Sequence, residues 1–311
     1  MEINDEVKNL LDKIETRYKE QNQPTEGYLE GLLYTEYLDY WNYINVDALL
    51  ALQHPKTYIK DEMIFIIYHQ ITELYFKLCL WEYDQILSTE NPTVNFLVER
   101  LKRIINYFTN LTHSFAIMVD GMEPAQFLKF RLSLLPASGF QSAQYRMIEM
   151  ASTDLINLVQ PAEREKVKDK DIEAQYQYIY WKYGATVAET GEKTLTLRRF
   201  EEKYKESLTT WAKKHENHNL LTLYRNLPTE IKNDAALIEA YKELDMLVNV
   251  RWPLVHFKSA VRYLKPETSE TVAATGGTNW EKYLPPRFQR RIFYPELWKE
   301  EELAGWGKVG I

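Results

Sequence analysis

"KDEMIFIIYHQITELYFKLCLWEYDQI", residues 60–86, is one of the most apolar stretches of the chain, and a histidine sits in the middle of it. At 3.6 residues per turn, Phe65, His69, Glu73 and Phe76 fall on one stripe. The apolar residues repeat every three or four positions and do not alternate, so the spacing predicts a helix over roughly 60–88. That stripe would normally be core. A neutral imidazole bonded to a carbonyl or carboxylate, with Glu73 one turn away, can be buried at little cost. Taken alone the segment favours this structural reading; the alternative is an imidazole turned toward a ligand.

Other stretches carry the same helical periodicity. Residues 5–21, a run through 28–55 ending at Pro55, 94–119, 125–135 and 234–264 all read as helices. Ser138 stands three residues before Gln141 and reads as a capping box opening a further one. Residues 161–235 read as an excursion of shorter, more polar helices, whose His215 and His218 are expected to be a surface pair. Pro253 lies inside 234–264 and is expected to kink it by clashing with the carbonyl of Asn249. With 11 Gly, 12 Pro and little alternation in 311 residues, the fold class is all-α, read as one helical domain over 1–311.

Charge and cysteine content exclude several classes. The chain has 38 basic and 45 acidic residues, net −7, which argues against a nucleic-acid or anionic-membrane partner. The single cysteine, Cys79, rules out an intramolecular disulfide and a thiolate cluster. The opening residues read as a charged amphipathic helix and not a signal peptide, and no stretch approaches about 20 apolar residues. A cytoplasmic location is the expectation. With 22 Tyr and 8 Trp, the aromatic content hints at a pocket or an oligomer.

The histidines narrow the chemistry. None of the six (54, 69, 113, 215, 218, 256) has an acidic residue three positions before it, so the Glu-x-x-His pairs of a di-iron bundle are missing. A second histidine in an apolar setting, His256 in "WPLVHFKSAV", could face His69 from another helix. Two such histidines can sandwich a flat cofactor, and haem fits best because its iron needs only one axial imidazole. Two separately satisfied core histidines remain the plainer alternative. Arg131, in "QFLKFRLSLLP", needs an anion. A ligand carboxylate or a distant acid of the chain itself would each serve.

Together, "YWNYINVDALLALQ" (40–53), "DEMIFIIYHQITELYFK" (61–77), "FLKFRLSLLPASGFQSAQYR" (127–146) and "RWPLVHFKSAVRYL" followed by "ATGGT" (251–278) resemble the signature blocks of the tryptophan 2,3-dioxygenase family, in the family's order. The resemblance implies a helical bundle enclosing one haem b per subunit, in a homotetramer that opens the indole ring of L-tryptophan with O2 to give N-formyl-L-kynurenine. It implies His256 as the axial ligand of the haem iron and His69 as the catalytic distal histidine, accepting a hydrogen bond from the indole N–H. Phe65, Tyr68 and Phe127 would line the substrate and Arg131 would hold its carboxylate. Thr275 would close over its ammonium and carboxylate, and Ser138 would sit on the pocket rim. Tyr40 and Tyr43, in an N-terminal segment of about 1–45, would complete a neighbouring subunit's site. The chain departs from the family at Phe127, where tyrosine is common, at Lys60, where a histidine precedes "DEM", and in the longer loop ending "ATGGTNW". These departures leave room for a related haem-dependent hydroxylase of indoles or aromatic amino acids, or a non-catalytic haem or amino-acid sensor.

Overall fold

A computed structural model describes residues 3–20, 24–35, 38–187, 190–264, 281 and 284–308. The described residues are helical and contain no strand, only isolated bridges between Val159 and Ile179 and between Thr186 and Lys193. The chain divides into two compact units, residues 1–53 and 54–311.

The first unit holds α1 (Asp5–Lys19), α2 (Thr25–Leu33), α3 (Tyr40–Tyr43) and α4 (Val46–Leu50). The Asn4 side chain accepts from the Val7 N–H at 2.8 Å and starts α1. Acids in its first turn and Arg17 and Lys19 in its last complement the helix dipole. Asn45 adopts a left-handed conformation, φ 52°, and separates α3 from α4. The unit buries little of its apolar surface: Leu32, Leu33, Tyr34, Trp41 and Leu50 are all exposed.

The second unit begins with α5 (Asp61–Ser88), followed by α6 (Val94–Ser114), α7 (Ala116–Asp120), α8 (Pro124–Phe130) and α9 (Ala143–Ser152). The short helices α10 (Leu155–Leu158), α11 (Arg164–Val167), α12 (Ile172–Gln177) and α13 (Tyr180–Gly184) come next. Then come α14 (Leu195–Lys214), α15 (Leu220–Asn226), α16 (Thr229–Lys232), α17 (Ala235–Met246), a π-helical segment (Leu247–Arg251) and α18 (Trp252–Leu264). Helix α5 packs on α6 and α9, α6 on α17, and α14 on α9. Phe76, Cys79, Ile86, Leu97, Leu101, Ile104, Phe108 and Leu244 fill the space between them. Each such side chain contributes about 1.5–3 kcal/mol of burial.

The opposite face of α5 is exposed among the described residues. Ile67, Ile71, Leu74, Leu78 and Trp81 repeat every three or four residues and are exposed, Trp81 at 65 %. Among the described residues this 28-residue helix is also the one long and apolar enough to cross a bilayer, which the sequence reading missed. It lies instead against α6 and α9.

Several local expectations change. The run from Val94 breaks at Phe115, and the helix expected over 125–135 gives way at Arg131 to a 3₁₀ turn, Arg131–Leu134. Ser138 and Gln141 do form a capping box, with the Ser138 N–H on Gln141 Oε1 at 2.8 Å. It opens only the 3₁₀ turn Gly139–Gln141; Ser142 caps α9 by accepting from the Tyr145 N–H. His215 is buried with Nδ1 2.9 Å from the Trp211 carbonyl, so only His218 of that pair is a surface residue. Pro253 does not end its helix, because the π segment takes up the disruption.

Two buried carboxylates hold the C-terminal segment down. Asp245 accepts from the N–H groups of Phe293 (2.9 Å) and Tyr294 (3.1 Å), from Trp298 Nε1 (2.9 Å) and from Asn249 Nδ2 (2.7 Å). Burial pushes its carboxyl up to about 6, so it is still ionised at pH 7. Glu149 binds both Arg291 and Arg146, the latter at 2.8 Å. Asp245→Ala strips the acceptor from three buried donors and the half-buried Trp298 indole and is expected to cost roughly 3 kcal/mol or more. Urea unfolding is the check: a midpoint unchanged from wild type would refute the anchoring role.

Candidate active site

The apolar face of α5 turns two rings toward α8. Phe65 stacks against His69 at 4.1 Å between ring centroids and meets Phe130 edge-on at 5.8 Å and Phe127 at 6.4 Å. Phe127 in turn lies 4.6 Å from Tyr263 of α18. His69 is one turn beyond Phe65, and its Nδ1 is 2.7 Å from the Phe65 carbonyl oxygen. A ring nitrogen facing a carbonyl must donate, so Nδ1 carries the proton and Nε2 the lone pair. Glu73, the partner that sequence spacing suggests, is engaged elsewhere: Gln144 Nε2 donates to its Oε2 at 2.8 Å and to its carbonyl at 2.9 Å.

His256 repeats the device on α18. Its Nδ1 is 3.1 Å from the carbonyl of Trp252, again one turn back along its own helix. Phe115 packs against the imidazole at 4.3 Å and Trp252 at 4.4 Å. Neither flanking residue was singled out from the sequence, although Trp252 stands four positions before the histidine. Burial pulls the His256 imidazole down to about 4, with the charges of His69 and Arg291 acting in the same direction. Burial lowers His69 as well. Both rings are therefore neutral near pH 7, and each presents Nε2 as an acceptor or metal ligand.

Arg131 is buried, 7 % exposed, directly after Phe130, and burial lowers its pKa. Tyr68 is buried in the core, its hydroxyl 3.1 Å from both the Leu111 carbonyl and Ser114 Oγ and its ring edge-on to Phe115 at 5.6 Å. The Tyr68 hydroxyl is thus committed to the end of α6, and only its ring borders the site. Ser138 is half-buried in its 3₁₀ cap. Tyr40 and Tyr43 lie in the first unit, 73 % and 75 % exposed. Thr275 and the "ATGGTNW" loop lie outside the described residues.

Among the described residues no group of three or more His, Cys, Asp or Glu could hold a metal ion. Single neutral imidazoles with an open Nε2, walled by Phe and Trp, suit instead a planar cofactor that brings its own equatorial donors and needs one axial nitrogen. The donor set fits haem.

The described residues are all-helical, with two neutral histidines each bonded at Nδ1 to a carbonyl of its own helix, and with a buried arginine at 131. The family model described as tryptophan 2,3-dioxygenase matches residues 30–156. The tryptophan 2,3-dioxygenase of Bacillus cereus is 27 % identical over 282 residues, 85 % of this chain and 92 % of that protein. That of Erythrobacter litoralis is 28 % identical over 83 % of this chain and 95 % of its own length. The same-named protein of Bdellovibrio bacteriovorus reaches 43 % identity over 121 residues, 35 % of this chain, and there the match spans only 33 % of the relative. Over most of its length the chain is thus similar to proteins named tryptophan 2,3-dioxygenase, which are oxidoreductases.

The imidazoles make a prediction for the chain without cofactor. The folded state keeps His256 neutral down to about pH 4, whereas an unfolded chain protonates it below about 6.5. Stability is therefore unaffected by this group above pH 7 and falls as pH drops from 6.5 toward 4, by on the order of 3 kcal/mol from His256 alone. Thermal unfolding between pH 4 and 8 is expected to show this slope, flattened in His256→Gln. An equal slope in both proteins would contradict it.

Proposed function

We propose that the protein is a haem-dependent dioxygenase that opens the indole ring of L-tryptophan with O2 to give N-formyl-L-kynurenine. The carrying observation is the pair His69 and His256, each pinned at Nδ1 by a carbonyl of its own helix and each keeping Nε2 free of a proton. His256 would hold the iron and His69 the substrate side. When bound, haem supplies the redox chemistry that activates dioxygen.

The residues of the chain do the positioning. His69, neutral and donating from Nδ1, can only accept at Nε2, so it receives the indole N–H and need not remove the proton. Phe65 and Phe127 offer flat apolar walls to the indole, with Tyr68 behind them. Arg131 takes the carboxylate at the far end, since a guanidinium in a desolvated place binds a carboxylate bidentately. Fixing both ends of the substrate supplies orientation, and the Phe-rich wall keeps water out. In this reading Ser138 borders the pocket and Thr275 closes over the ammonium and carboxylate.

The reading extends to assembly. Exposed apolar residues on α5 and in the first unit form more apolar surface than a monomer ordinarily leaves bare. This supports a homotetramer in which Tyr40 and Tyr43 cover a neighbour's site. A net charge of −7 and a lone buried cysteine support a cytoplasmic protein without nucleic-acid or membrane partners.

The deciding experiment supplies L-tryptophan and isotopically labelled O2 to the reduced, haem-loaded protein. Both labelled atoms in one N-formylkynurenine molecule is the expected result. One labelled atom in a hydroxylated product would instead make the protein a monooxygenase. Tight tryptophan binding without product would make it a sensor.

Arg131→Ala is expected to lower kcat/KM for tryptophan by roughly 2–5 kcal/mol while leaving haem content unchanged. Tryptamine, which has no carboxylate, should be a poor substrate of wild type and no worse for the variant. Equal losses for both substrates would remove Arg131 from the carboxylate role.

A further inference from the structure

Pro253 sits inside a helix that continues past it, and the reason lies in the five residues before it. Leu247–Arg251 are wound as π-helix, and the Trp252 N–H closes that stretch on the carbonyl of Leu247. In the same register the next donor would be the N–H of residue 253 and the next acceptor the carbonyl of Val248. Proline has no N–H. Val248 is fully buried, so its carbonyl must be served from elsewhere.

Tyr145 of α9 serves it, with its hydroxyl 3.0 Å from the Val248 carbonyl oxygen. Arg291 Nη1 donates to the same phenol oxygen at 3.1 Å, which directs the hydroxyl proton toward Val248. Arg291 is itself held by Glu149. The stitch therefore runs from Arg291 through Tyr145 into the last π turn, and His256 follows one turn later.

We propose that Tyr145 is a positioning residue for His256. Its hydroxyl, oriented by Arg291, stands in for the N–H that Pro253 lacks and so fixes the register of the helix that presents the axial imidazole. The functional meaning rests on the haem reading above; the backbone role does not.

Full-length wild type, Tyr145→Phe, Tyr145→Phe/Pro253→Ala and the control Tyr83→Phe separate the possibilities. Tyr83 also spends a buried hydroxyl, but on Ser152 Oγ at 2.6 Å and not on a carbonyl of the π segment. Three readouts apply: hemin titration, the iron–imidazole stretch of the reduced protein by resonance Raman, and amide exchange at residues 254–264 without hemin. Tyr145→Phe is expected to bind hemin roughly tenfold more weakly, to shift the stretch and to exchange faster at 254–264. Tyr83→Phe should leave the stretch in place. Restoring a backbone N–H at 253 in the double variant should recover the wild-type values. Unchanged stretch and exchange in Tyr145→Phe, or no recovery in the double variant, would overturn the proposal. If wild type takes up no hemin, the haem reading fails, and the exchange data alone still decide whether Tyr145 replaces the missing donor.

Discussion

The structure depends on one buried carboxylate that holds more positive charge than it can neutralise. Glu149 is 1 % exposed and receives Arg146 and Arg291, both equally hidden. The second guanidinium is made tolerable by neutral oxygens: Tyr180 bonds both Arg146 and Glu149 at 2.6 Å, and Tyr145 accepts from Arg291. Taking ions out of water costs several kcal/mol each, and this network offsets much of it, although Nε of Arg146 and of Arg291 has no partner. Three remote parts of the chain, α9, α13 and the segment after residue 284, meet at this carboxylate. Helix α5, which carries His69, packs on α9, and the π segment that precedes His256 is bonded to α9 through Tyr145.

Next to this network, the imidazoles are held economically. Each uses the carbonyl four residues back, an acceptor already built into the helix, and needs no carboxylate partner. That choice matters electrostatically. A carboxylate at Nδ1 would raise the imidazole pKa and its basicity, whereas a carbonyl leaves burial to dominate and keeps the ring neutral. Glu73, the obvious partner for His69, is diverted to Gln144, which joins α5 to α9 and leaves His69 uncharged.

Helical periodicity made most of the fold legible. The stretch opening at Lys60 became α5 within a residue of its expected bounds, whereas the polar excursion after 161 holds short helices and also the 20-residue α14. The true cap was not legible: Ser138 carries the capping box, yet Ser142, four residues on, is the residue that opens α9. Nor could the π segment be read. A proline three positions before a histidine reads as a kink, and only Tyr145, 103 residues from its Val248 acceptor in sequence, explains why the helix survives. His215 misled for a related reason. Its Lys/Glu-rich neighbours describe the exposed face of α14, while its own side chain turns inward. The apolar setting of His69, His256 and Arg131 was visible, but their pairing came from resemblance, because long-range proximity has no signature in spacing.

Helix α5 joins the site to the surface. Its inner side presents Phe65 and His69 and its outer side the exposed row from Ile67 to Trp81, with each residue one or two positions from an inward one. A helix packed on both sides cannot rotate to relieve a change on one of them, because a rotation that moves His69 also moves Ile67 and Ile71. In the proposed oligomer, a partner seated on the outer row would therefore load the same rod that positions the distal imidazole. Substrate geometry and assembly are then coupled through rigid packing, without any movable element between them.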